Sequence, residues 1–121
     1  MVTSRPQSLS RIAFHINACL YDDMKLSSAT VVEALRAAGE PTRLRILALL
    51  RECELSVGEL VSVLGQSQPR LSHHLKALTS AGLTERMPEG AWVFYRLPSA
   101  GWARELLDSM FDLIDSQTGD F

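Results

Sequence analysis

The chain has 121 residues, 46% hydrophobic and 7% aromatic, with 12 basic against 14 acidic residues and a net charge of −2. This supports one aliphatic core, with or without a terminal arm, and excludes a uniformly basic nucleic-acid binder. The two cysteines, Cys19 and Cys53, fit a reducing compartment, and no apolar run reaches membrane length or forms a signal-peptide core, so the expected location is the cytoplasm.

Residues 1–7 are expected as a disordered arm. Residues 8–29 read as an N-terminal helix and linker, because Leu9, Ile12, Ile16, Cys19 and Leu20 recur at helical spacing. That apolar stripe has to be buried against something. Residues 30–38 form a short helix with Val31, Leu35 and Ala38 on one face, ended by Gly39. Pro41 opens the next helix at its first position, where a missing N–H costs nothing. This helix runs to about Glu52. Leu44, Ile46, Leu47, Leu49 and Leu50 make it the central buried helix, with Arg43, Arg45 and Arg51 along its solvent edge. Cys53 follows, either a buried small hydrophobe, the commoner case, or a redox-sensitive thiol.

Residues 56–83, SVGELVSVLGQSQPRLSHHLKALTSAGL, read as two short helices joined by a tight turn. The first buries Val57, Leu60, Val61 and Leu64. Ser56 and Glu59 make a capping box at its start, and Leu55 and Leu60 are spaced as a hydrophobic staple. Gly65 stops it by accepting a left-handed conformation. The second starts near Ser67 or Gln68, with Pro69 in its first turn. Leu71, Leu75 and Leu78 face inward; Gln68, Arg70, Ser72, His73 and Lys76 face outward and can donate to phosphates and base edges. This pattern is a helix-turn-helix with a recognition helix.

After Gly82 the period changes to two. Residues 83–87 and 91–97 read as strands joined through Pro88-Glu89-Gly90, and Trp92, Val93, Phe94 and Tyr95 are strong strand formers. A hairpin directly after a recognition helix is a wing. Residues 99–116 then read as a last helix carrying Trp102, Leu106, Met110, Phe111 and Ile114, too many large apolar groups for a solvated terminal helix. Charge is polarised along this half. Residues 66–103 hold the bases Arg70, Lys76, Arg86 and Arg96 against two acids, whereas residues 104–121 hold one base against five acids. One face can therefore meet DNA although the whole chain is acidic.

The segments ALRAAGEPTRLRILALL, ELSVGEL, GQSQPRLSHHLKAL, AGL and GAWVFYRL, in this order, closely resemble the ArsR/SmtB family of bacterial winged-helix repressors. The resemblance covers residues 32–97. It implies a mainly α fold with a small β-hairpin, a winged helix-turn-helix over residues 30–98. It also implies a homodimer built on the terminal helices at 8–29 and 99–116, with a tail at 117–121. On this reading Ile12, Ile16, Leu20, Trp102, Leu106, Met110 and Phe111 form the dimer interface. A twofold dimer sets two recognition helices against successive major grooves, about 34 Å apart. The resemblance further implies binding to double-stranded operator DNA and release by an inducer. GQSQPRLSHHLKAL followed by PEGAWVFYRL is also similar to the N-terminal domains of fusions in which a methyltransferase follows the repressor. Were such a domain lost, that likeness would imply a methyl-cycle metabolite as the signal.

The expected DNA contacts are Ser67, Gln68, Arg70, Ser72, His73 and Lys76, with Arg86 on the wing. Ser67 and Gln68 sit where helix N-terminal N–H groups and short polar side chains hold a phosphate or reach a base edge. His74 falls on the inward stripe, so it is expected to be structural and hydrogen-bonded to nearby backbone. Met87, Pro88 and Glu89 make the wing less basic than in many family members. Metal-sensing members keep thiolates in the segment matching ELSVGEL, where this chain has Ser56 and Gly58. A hydroxyl is a poor ligand for a soft ion, and glycine offers no side chain. No cofactor and no metal are expected; His15 and Cys19, four apart on one helix face, are the weak alternative, since two such pairs across a dimer could make four ligands. A small-molecule or redox signal is left by elimination. The chain has no phosphate loop, no HExxH and no Ser/His/Asp arrangement, so it is not expected to be an enzyme. The competing readings are a winged-helix module that binds protein, and a metal-responsive repressor with an atypical site.

Overall fold

A computed structural model describes residues 26–117. The helix expected around Ile12, Ile16 and Leu20, with His15 and Cys19, lies outside the described residues, as do the arm and residues 118–121. The chain divides into two units, residues 1–32 and 33–121. In the first, the Ser27 hydroxyl accepts from the Thr30 N–H at 3.2 Å and caps helix α1, Ser28–Ala38. In the second, α1 buries Ala34, Ala37 and Ala38. Leu35, expected on the buried face, is 50% exposed. Ala34, Ala37 and Ala38 form the buried face instead.

Helix α2, Pro41–Glu52, starts as expected, with Pro41 in its first turn and the Glu40 carboxylate accepting from the Arg43 N–H at 2.8 Å. Ile46, Leu47 and Leu50 are buried in the centre of the core. Of its three arginines only Arg45 is left to solvent. Arg51 lies over the Phe111 ring at 4.7 Å from the centroid and donates to Asp115 at 2.9 Å. Cys53 caps the helix in extended conformation, and its side chain is exposed. The expected burial is thus reversed, because the chain has already left the core when it reaches this residue.

Helix α3, Val57–Leu64, carries both halves of the capping box: Ser56 accepts from the Glu59 N–H, and Glu59 accepts from the Ser56 N–H. Gly65 ends it at φ 65°. Helix α4, Gln68–Ser80, is capped by Ser67 and buries Leu71, Leu75 and Leu78 completely. The sheet has three strands where a two-stranded hairpin was expected. Strand β1, Leu55–Ser56, precedes α3; β2 is Glu85–Glu89 and β3 is Trp92–Arg96, in the order β1-β3-β2. Leu55 pairs with Tyr95 and Ser56 with Phe94. Two residues are too few to show a period. Pro88 and Glu89 also prove to be strand residues, opposite Val93 and Trp92, so the turn shrinks to Gly90-Ala91. Pro88 is tolerated because β2 is an edge strand, where one ladder N–H can be missing.

Helix α5, Trp102–Gln117, turns Ala103, Leu107 and Phe111 into the core at four-residue intervals. Leu107 was not singled out from sequence. Phe111, expected at the dimer face, is fully buried within its own chain. Trp102, Leu106, Met110 and Ile114 are only partly buried. Among the described residues no helix is long and apolar enough to cross a membrane.

Gly82, at φ 83°, follows α4 and lies against Trp102; a Cβ there would stand 3.3 Å from the ring atom Cζ2. Gly82→Ala is expected to cost about 1–2 kcal/mol from the left-handed backbone alone. Crowding against the indole adds to this. Urea unfolding checks it: the midpoint falls with an unchanged slope.

Candidate nucleic-acid interface

The outer face of α4 follows from its inner one. With Leu71, Leu75 and Leu78 buried, a rotation of about 100° per residue puts His73 and Lys76 on the opposite side and Ser72 on the flank that carries Thr79. All three are exposed, as are Ser67, Gln68 and Arg70 before them. Arg70 lies toward the flank that carries His74, and Gln68 toward the flank that carries Thr79. The Ser67 hydroxyl accepts from the Arg70 N–H at 3.4 Å, so its first role is to start the helix.

Arg86 is exposed on β2. Together with Lys76 it lines a cleft of about 280 Å³ between the last turns of α4 and the wing, completed by Thr79, Ser80 and Tyr95. The structure thus joins two cations ten residues apart that the sequence had placed on separate elements. Thr79 and Ser80 were missed as lining residues, although they follow Lys76 by three and four positions on one helix face. None of the ion pairs among the described residues uses Arg70, Lys76 or Arg86. Arg96 is different: it bonds Glu85 opposite it at 2.9 Å and lies 3.8 Å from Glu54. It therefore belongs to the sheet and not to the charged face. The wing tip itself presents Glu89 and a Trp92 that is 63% exposed.

The turn and recognition helix are tied to the first turn of α2. Gln66 donates to the Thr42 hydroxyl at 3.0 Å. Arg43 Nε donates to His74 Nδ1 at 3.1 Å, and Glu40 Oε2 lies 3.8 Å from the same nitrogen. His74 is structural, as expected, but its partner is a side chain 31 residues away and not the nearby backbone. Burial lowers the pKa of this imidazole; Glu40 opposes the shift, while Arg43, His73 and Arg70 add to it. The bonded Nδ1 carries no proton, so the ring is neutral.

Among the described residues no three His, Cys, Asp or Glu side chains cluster as a metal site. Ser56, at the thiolate position of metal sensors, is 3% exposed with its hydroxyl engaged as a helix cap. Asp108, one of two carboxylates four apart on α5, pairs with Arg104 at 3.3 Å.

The family model for bacterial regulatory proteins of the arsR family matches residues 40–86, from the cap of α2 into β2. The transcriptional activator HlyU of Vibrio cholerae is 46% identical over 77 residues, 64% of this chain and 71% of that protein. Its solved structure superposes with a TM-score of 0.65 at 39% identity, covering 77% of this chain and 96% of that one. The biofilm growth-associated repressor of Xylella fastidiosa is 33% identical over 96 residues, 79% of this chain and 83% of that protein. The homodimeric winged helix-turn-helix DNA-binding domain of Mb0332 from Mycobacterium bovis, a possible ArsR-family regulator, has a TM-score of 0.67 at 28% identity, covering 74% and 82%. The chain therefore belongs to the ArsR family of bacterial regulatory proteins, and is a DNA-binding transcriptional regulator with a winged helix-turn-helix fold and not an enzyme.

Proposed function

We propose that the chain works as a homodimeric, cytoplasmic repressor whose two α4 helices enter successive major grooves of one operator. One observation carries this reading: in a chain of net charge −2, Arg70, Lys76 and Arg86 stand on one exposed face without carboxylate partners among the described residues. Unpaired cations on an exposed face suit a phosphate backbone. Ser72, His73 and Gln68 then reach base edges, while Lys76 and Arg86 grip one backbone strand across the cleft. The terminal helices, residues 8–29 and 99–116, supply the dimer contact, using Ile12, Ile16 and Leu20 with the half-buried Trp102, Leu106 and Met110. The homodimeric Mb0332 domain supports this assembly. The signal that releases DNA is a small molecule or a redox change. A soft metal at the start of α3 is disfavoured, because the Ser56 hydroxyl is committed to the Glu59 N–H.

An electrophoretic shift on the protein's own promoter region, repeated at rising salt, tests the reading. A shift that weakens steeply with salt is expected. No shift at low salt overturns it in favour of a module that binds protein.

A further inference from the structure

The buried leucines of α4 set how deep the helix sits, but apolar contacts are non-directional and hold its rotation weakly. Directional bonds fix rotation, and α4 makes one to α2 through His74. Arg43 bonds His74 at 3.1 Å through its side chain, and Glu40 takes the Arg43 backbone N–H at 2.8 Å, so carboxylate and guanidinium start from the same turn. One turn of α2 thus grips the recognition helix on the flank that carries Arg70. Resting on the DNA-binding reading above, we propose that Glu40, Arg43 and His74 are positioning residues for sequence reading: the neutral imidazole bonded to Arg43 holds α4 in its reading rotation, and protonation hands the imidazole to Glu40 and frees that rotation.

The exchange follows from the bonding inventory. Neutral His74 accepts at Nδ1 and carries its proton on Nε2. A second proton makes Nδ1 a donor, facing the Arg43 N–H with like charge on both sides. The Glu40 carboxylate, 3.8 Å from Nδ1, becomes the matching acceptor. The charged groups facing this ring are Glu40 and Arg43 from α2 and its cap, and His73 and Arg70 from α4 itself. Three of the four are or can be positive, and the ring is largely buried, with 16% of its side chain exposed. The neutral form therefore persists below the ordinary histidine value of 6.5, and the Arg43 bond is lost as pH falls through a lower one.

The test compares a duplex from the promoter region with a scrambled duplex of the same composition, at pH 7.5 and 5.5. All proteins keep His73, so whatever the outward histidine contributes is common to them and cancels when each His74 variant is compared with the parent. With His74 in place, the preference for the promoter duplex is expected to fall as the ring takes its proton, by about tenfold at full protonation, the effect of one lost charge-assisted bond. His74→Asn keeps an acceptor where Nδ1 stood and does not titrate; its preference is expected to fall far less than the parent's over the same change of pH. His74→Leu is expected to show the weak preference at both values. Nitrogen NMR of the imidazole gives a second reading that needs no folded variant: Nδ1 is expected to be unprotonated at pH 7.5 and to titrate below 6.5. A His74→Asn protein that loses preference as steeply as its parent overturns the inference, as does a protonated Nδ1 at pH 7.5. These outcomes differ from failure of the DNA-binding reading, in which no duplex is shifted at any pH.

Discussion

The double variant Lys76→Ala/Arg86→Ala binds promoter DNA about fifty- to a hundredfold more weakly at about 0.1 M salt, and its log–log salt slope is flatter by about two units. The size follows from counterion release, which gives each phosphate contact roughly one unit of slope and close to a factor of ten at that salt. The two side chains share one cleft with Thr79, Ser80 and Tyr95, so they meet the same stretch of backbone. Neither is engaged by a carboxylate among the described residues, so the attraction is not already spent inside the protein. Both are exposed, and exposed substitutions of this kind shift stability by less than about 0.5 kcal/mol. A change in binding therefore reports contact and not unfolding. Arg70→Ala is the comparison on the other flank of α4, with about one unit of slope. Titrations of binding against salt measure all three, and an unchanged slope in the double variant removes the cleft from the interface.

Phe111→Ala is expected to lower stability by about 3–5 kcal/mol, the range for truncating a buried aromatic ring. A domain holds about 5–15 kcal/mol in total, so the variant loses a large share of it. The ring is fully buried and touches α2 through Arg51, whose guanidinium covers its face and reaches Asp115 beyond. Truncation opens a cavity and takes away one of the two groups that hold Arg51. Because the ring lies in the core of one chain, the loss is the same at low and high protein concentration. Leu106→Lys, at a half-buried position of the same helix, behaves otherwise if α5 forms the dimer: its melting temperature no longer rises with protein concentration as the parent's does, so the gap between them widens with concentration. Thermal melts of both variants over a hundredfold range of concentration separate the two roles. A concentration-dependent loss for Phe111→Ala would return that residue to the dimer face.

The helix-turn-helix was legible because its signals act over short spans. The Ser56–Glu59 capping box, the left-handed Gly65 and the Ser67 cap with Pro69 behind it all work within four residues, and each is present as read. The inward leucines of α4 and the outward polar set follow from helical period alone. The wing was legible in kind but not in extent, since Pro88 reads as a break unless β2 is known to be an edge. Strand β1 left no trace because two residues cannot alternate, and it exists only through pairing with Tyr95 and Phe94. On α1, the spacing of Val31, Leu35 and Ala38 pointed to the wrong face at Leu35, because the buried face is made by Ala34, Ala37 and Ala38, and alanine carries little hydrophobic signal in a periodicity. On α5, the same reasoning counted Phe111 as surplus apolar area, when Arg51 and the core of its own chain already enclose it.

What the sequence by itself determined, then, is local: where helices start and stop, which side of α4 is greasy, and that a charged face follows. Tertiary structure alone decided which distant groups meet. It turned Arg43 and Arg51 from solvent edge to partners of His74 and Phe111, left Cys53 in solvent, and brought Lys76 and Arg86 to one cleft. Caps and periods are set by backbone geometry within one or two turns, whereas such pairings depend on how packed elements orient side chains that lie tens of residues apart.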